Sequence, residues 1–89
     1  MRKLLQTPTF ARNKMKLHKN QLSELDEAIK DIYADPYAGE QKKGDLALIF
    51  VYKCKITKQL FLIAYQFDDS KIVLLSIGSH ENFYKELKR

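Results

Sequence analysis

From residue 20 onward the apolar positions fall at Leu22, Leu25, Ile29 and Ile32, with Glu24, Glu27 and Asp31 on the opposite side. Spacings of three, four and three make one apolar stripe on a 3.6-residue period, which predicts an amphipathic helix. Asn20 is a candidate cap. Asp35-Pro36 stops the helix, because the residue before proline is pushed out of helical geometry. Upstream, the run TPTF reads as another helix start, with Thr7 as cap and Pro8 at the first helical position, where a missing N–H costs nothing. That helix is expected to reach about Leu17, so the two form an antiparallel pair joined by a tight turn. Arg2 to Leu5 can form a short strand ahead of them.

After the polar, turn-rich stretch YAGEQKKGD the period changes to two. Leu46, Leu48, Phe50, Tyr52, Cys54 and Ile56 share one face of a strand, and Ala47, Ile49, Val51, Lys53 and Lys55 share the other. The break Thr57-Lys58-Gln59 leads into a second strand from Leu60 to Phe67. The turn Asp68-Asp69-Ser70 leads into a third from Ile72 to Ile77. Short connections between strands predict an antiparallel meander. Neither layer can bury its apolar side alone, so the helix pair must cover one face of the sheet. The expected class is α+β: an N-terminal (β)αα hairpin on an antiparallel sheet of three to four strands.

Composition narrows this further. With 89 residues, 45% apolar and 30% charged, the chain has the balance of one ordinary globular domain spanning residues 1–89, not of a disordered tail. The longest apolar stretches, LALIFV and LFLIAY, are strand-sized and too short to span a bilayer. The start, MRKLLQTPTFARNKMK, lacks the apolar run of a secretion signal. A cytoplasmic protein with no membrane partner is the expectation. Cys54 is the one cysteine, which excludes an internal disulfide, and its place in a strand suits a buried, inert thiol. His18, Cys54 and His80 are too scattered for a metal site, and no cofactor is implied. The net charge of +5 points to an anionic partner, and its distribution says more. Residues 1–20 carry Arg2, Lys3, Arg12, Lys14, Lys16 and Lys19 and no acid. Such a block is either a solvated basic face or a contact for nucleic acid or an acidic protein.

The order of these elements, together with LQTPTFARNKMKLHKNQ, the DP after the second helix, KKGDL, VYKCK, LFLIAYQF and GSHENFYKELKR, resembles the RelE/ParE superfamily of bacterial toxins, and within it the ParE-like branch. The resemblance covers essentially the whole chain. It implies a type II toxin–antitoxin pair, with a cognate antitoxin as partner. That antitoxin is expected to be an acidic segment folding on binding, against the two helices or along the sheet. The superfamily has two unrelated activities. RelE-type members enter the ribosomal A site and cut mRNA, whereas ParE-type members bind DNA gyrase and trap its cleaved DNA. A toxin fold that only binds its antitoxin is a third reading.

Metal-free RNA cleavage needs a base for the 2′-hydroxyl, cations for the phosphate and an acid for the leaving 5′-oxygen. Tyr52-Lys53-Cys54-Lys55 resembles the tyrosine–lysine–any–lysine stretch of RelE, and the strand period sets Lys53 and Lys55 on one face. His80, two residues after Gly78, matches a position where RelE has an arginine and YafQ-like members a catalytic histidine. Tyr84 matches a terminal aromatic. The resemblance thus implies His80, Lys53, Lys55 and Tyr84 as catalytic candidates, with Arg12, Lys14, Lys16 and Lys19 gripping nucleic acid. On the residues alone, the lysines equally suit a solvated strand face, and His80 a turn-closing hydrogen bond. Phe83 and Leu87 read as core. The chain also departs from the RelE pattern: Leu62 stands where RelE has a phosphate-holding arginine, and the further hairpin histidines and aspartate of YafQ-like members are absent.

Overall fold

The structure is a computed structural model and describes residues 2–42 and 49–80. In chain order the elements are β1 (Lys3–Gln6), α1 (Pro8–Lys14), α2 (Lys19–Ala34), a 3₁₀ turn (Pro36–Ala38), β2 (Glu40–Gln41), β3 (Phe50–Ile56), β4 (Gln59–Phe67) and β5 (Lys71–Ser79). The strands form one sheet in the order β1-β5-β4-β3-β2. The fold is α+β as expected, but the sheet has five strands and is mixed, since β1 runs parallel to β5 while the other pairs are antiparallel. The two extra pairings have tertiary causes. β1 joins the first strand to the last, and the two-residue β2 exists only through its bonds to β3.

The first helix starts as its sequence says. Thr7 caps it by accepting the N–H of Phe10 at 3.1 Å. The same hydroxyl donates to the Leu75 carbonyl at 2.7 Å, where β5 bulges and Leu75 has no partner on β4. The helix ends at Lys14, short of Leu17, because Lys16 N–H and Leu17 N–H bond back three residues to Asn13 and Lys14 and tighten the chain into a turn. The second helix begins two residues earlier than an Asn20 cap would place it. His18 is the cap residue, and its N–H is held by the Gln21 side chain at 2.8 Å.

The predicted stripe faces inward: Leu25 and Ile32 have no exposed surface, with Leu22 and Ile29 partly buried against the same core. They meet the even-numbered face of β3 (Phe50, Tyr52, Cys54, Ile56) together with Phe61, Ile63, Tyr65, Ile72, Leu74 and Ile77. The sheet's other face carries a smaller cluster of Val51, Leu62 and Ala64, flanked by Ile49 and Leu75. β4 is buried on both faces from Phe61 to Tyr65, which explains its unbroken apolar run. Residues 46–48 of the expected first long strand lie outside the described residues, as do Phe83 and Leu87.

Two polar contacts set the direction of α2 on the sheet. Near its start, Glu24 takes the N–H of Thr57 on both carboxylate oxygens, at 3.1 and 3.0 Å. Near its end, Asp31 accepts the Tyr52 hydroxyl at 3.1 Å. The helix therefore runs antiparallel to β3, with its N-terminus at the β3–β4 hairpin tip.

Candidate active site

The hairpin tip is a two-residue turn, Thr57-Lys58, between the paired Ile56 and Gln59. Both residues have positive φ, 53° and 66°, as a turn matching the strand twist requires. Neither is the glycine or asparagine usual there. The tip is instead held by Glu24 from below.

Lys53 and Lys55 leave β3 on the face away from the helices and are both exposed, as the period of two predicts. Their cross-strand partners on β4 are Leu62 and Leu60. Leu62 pairs onward with Gly78 on β5, and Ser79 pairs with Phe61. His80 directly follows Ser79 and is exposed, so it stands level with Leu60 and Lys55. Two strand spacings, about 10 Å, separate the backbone of Lys55 from that of β5. One row further in, between Lys53 and Gly78, lies Leu62, with no exposed surface. The middle of this sheet face is therefore sealed by an apolar residue. Tyr84 lies outside the described residues.

The basic residues at the end of α1, in the turn after it and at the start of α2 reach the same end by another route. Lys19 precedes Glu24 by five residues, roughly 7 Å of helix, which sets it near the hairpin tip. Lys14 and Lys16 occupy the end of α1 and the turn that joins it to α2. The fold thus gathers Lys14, Lys16 and Lys19 with Lys53, Lys55 and Lys58 around one end of the sheet, the lysines of β3 on one face and the helical turn on the other. Lys58 is the member that sequence reasoning left out: the break between the strands is legible in the sequence, and the pairing of Ile56 with Gln59 puts Lys58 at the tip, at the same end as the other lysines. The three ion pairs among the described residues, Lys30–Glu27, Lys42–Glu40 and Lys71–Asp68, include none of these cations. Such an end attracts a polyanion.

Other titratable groups are kept out of the chemistry by their surroundings. Burial, then the nearby Glu24 charge, pushes the Cys54 thiol up to about 11. Burial raises Tyr52 as well, helped by its bond to Asp31. Among the described residues no group of three or more His, Cys, Asp or Glu side chains is placed to hold a metal ion, and no helix is long and apolar enough to cross a membrane.

Solved structures share the fold. The toxin–antitoxin complex RelBE2 of Mycobacterium tuberculosis contains a chain with 23% identity and a TM-score of 0.75, over 89% of this chain and 98% of that one. A mutant of the Escherichia coli toxin RelE in the free state gives 16% identity and a TM-score of 0.71, over 99% and 96%. YafQ from E. coli gives 11% and 0.67, over 94% and 99%. No curated protein matches the chain. A family model described as the ParE-like toxin of type II bacterial toxin–antitoxin systems matches residues 4–88. This chain, with its helix pair on a five-stranded sheet, therefore belongs to the ParE-like toxins of type II toxin–antitoxin systems, in the RelE/ParE superfamily.

Proposed function

We propose that this toxin arrests growth as a ribosome-dependent, metal-independent mRNA endoribonuclease. The reading is carried by one observation: Lys53 and Lys55 are both exposed on the same sheet face, at the end that also holds His80 and the basic helix turn. In this reaction the RNA's own 2′-hydroxyl attacks the adjacent phosphorus. The P–O bond to the 5′-oxygen breaks, leaving a cyclic phosphate and a 5′-hydroxyl. His80 is the proton carrier, since an imidazole has one nitrogen to accept a proton and one to donate and so suits both roles. Lys53 and Lys55 hold the non-bridging phosphate oxygens, whose charge grows in the transition state. Tyr84 is the candidate for stacking on a base or sharing the proton transfer. Arg12, Lys14, Lys16 and Lys19 grip ribosomal RNA, joined by Lys58.

Growth arrest after induction in cells, scored beside antitoxin binding, tests these assignments. His80→Ala and the Lys53→Ala, Lys55→Ala pair should each abolish arrest while antitoxin binding and melting temperature stay near wild type. Arrest at full strength in His80→Ala would remove the histidine from the mechanism.

A second reading has its own support. Leu62, buried between Lys53 and Gly78, leaves the phosphate without a cation at the middle of the site. A DNA gyrase poison, which binds and does no chemistry, needs none. On that reading the basic end contacts gyrase or its DNA, and His80→Ala leaves arrest intact.

A further inference from the structure

The opposite end of the sheet has a different character. Four rings gather there: Tyr37 stands edge-on to Phe67 at 5.0 Å and to Phe50 at 6.4 Å, and Phe50 lies between Phe67 at 4.9 Å and Tyr65 at 5.8 Å. Tyr65 is buried, but Tyr37 is 71% exposed. Beside them opens a cleft of about 290 Å³ with walls of Phe50, Phe67 and Val73 and a rim of Gln41, Gln66, Asp68 and Lys71. A cleft of this size, apolar inside and polar at the rim, suits one large side chain.

The rim's charges select the visitor. Lys3 is in register with Lys71, so two ammonium groups start side by side on neighbouring strands, an arrangement that costs stability until an anion joins it. Their nearest acid is largely spent. Asp68 Oδ1 already accepts Ser70 N–H, Ser70 hydroxyl and Lys71 N–H, and its other oxygen is a loose 3.6 Å from Lys71 Nζ with both side chains about half exposed. Arg2 is committed to the Asp68 carbonyl at 2.7 Å and to the face of Phe67, 5.5 Å from its centroid. A single carboxylate therefore finds two lysines here. A nucleic-acid backbone would meet Asp68 and Asp69 as well, and has the uniformly basic hairpin end to go to instead. An apolar cleft under a mixed-charge rim has the anatomy of a protein anchor point.

We propose that this cleft anchors the cognate antitoxin, which inserts one large apolar side chain between Phe50, Phe67 and Val73 and sets a neighbouring carboxylate on Lys3 and Lys71. The proposal rests on membership in the toxin family and not on which target the toxin attacks. The anchor lies at the far end of the sheet from Lys53, Lys55 and His80, so the antitoxin is held there without competing for the phosphate site.

The test uses the full-length toxin and the purified antitoxin encoded by the adjacent small gene. Lys3→Glu with Lys71→Glu, and separately Val73→Asp, which puts a carboxylate in the cleft wall, should each weaken antitoxin binding at least about tenfold. Growth arrest should persist and should no longer be neutralised. Lys55→Glu should leave antitoxin affinity unchanged. Lys71→Gln serves as a milder variant should the charge reversals disturb the Asp68 turn. Hydrogen exchange on the wild-type complex should show protection at residues 3–5 and 66–73, whatever the variants do. Affinities within about twofold of wild type, or no protection there, would overturn the proposal. So would variants that lose binding to a ribosomal RNA fragment while keeping the antitoxin, which would give the cleft to nucleic acid.

Discussion

Tyr65 shows how one side chain can hold a corner of this fold. Its buried hydroxyl donates to the Pro36 carbonyl at 2.6 Å and accepts the Gly39 N–H at 3.0 Å, tying the chain after α2 to the central strand. Tyr65→Phe leaves both backbone groups without that partner and should cost about 1–3 kcal/mol in a urea titration. Gly39 is glycine because a Cβ there would run into the same hydroxyl, so Gly39→Ala should destabilise too, and less so in the Tyr65→Phe background. Cys54, with its thiol raised to about 11, should resist iodoacetamide in the native protein at pH 8 and react once unfolded. Asp68 titrates the other way. Three donors from Ser70 and Lys71 hold its carboxyl down to about 2, below the usual carboxylate value. A lowered folded pKa stabilises above the unfolded value of about 4, and that contribution is lost as pH falls through about 2. The melting temperature of Asp68→Asn should therefore lie below wild type at pH 7, with the gap closing at pH 2. An equal gap at both would assign the loss to packing.

At the scale of elements, the hairpin tip sets how far the β3 lysines hold their place. Thr57 and Lys58 accept left-handed backbone that a glycine adopts without cost, and Glu24 holds the turn against α2. Lys58→Gly should raise stability by about 1 kcal/mol and lower nucleic-acid affinity, separating the residue's strain from its charge. The helix stripe, both long hairpins and the shared face of Lys53 and Lys55 were legible because period and turn chemistry are local. What was not legible depended on distant partners. β1 runs parallel to β5 because a strand at residue 3 meets one at residue 71, and β2 has no pattern of its own. The early end of α1 and the His18 cap follow from local hydrogen bonds that compete with propensity. At the site, spacing gave the two lysines, but only the register shows Leu62 sealed between Lys53 and Gly78, and only the tertiary contact of Glu24 brings the basic helix turn to the same end.

Across the whole molecule, charge divides by position. The hairpin end collects cations without ion pairs among the described residues, while all three observed pairs lie elsewhere. If Arg12, Lys14, Lys16, Lys19, Lys53, Lys55 and Lys58 each meet a phosphate, affinity for a ribosomal RNA fragment should fall roughly 10³-fold between about 50 and 200 mM salt. Lys58→Ala should lower the salt slope by about one contact, and an affinity flat in salt would mean that this end is not an RNA surface. The most direct test is a cell-free translation reaction given purified toxin, with labelled mRNA mapped by primer extension and gyrase with supercoiled plasmid run in parallel. The account expects cuts confined to mRNA under translation, absent with His80→Ala and with the Lys53→Ala, Lys55→Ala pair. Intact mRNA beside linearised plasmid would contradict it, and would make the basic end a docking surface for gyrase.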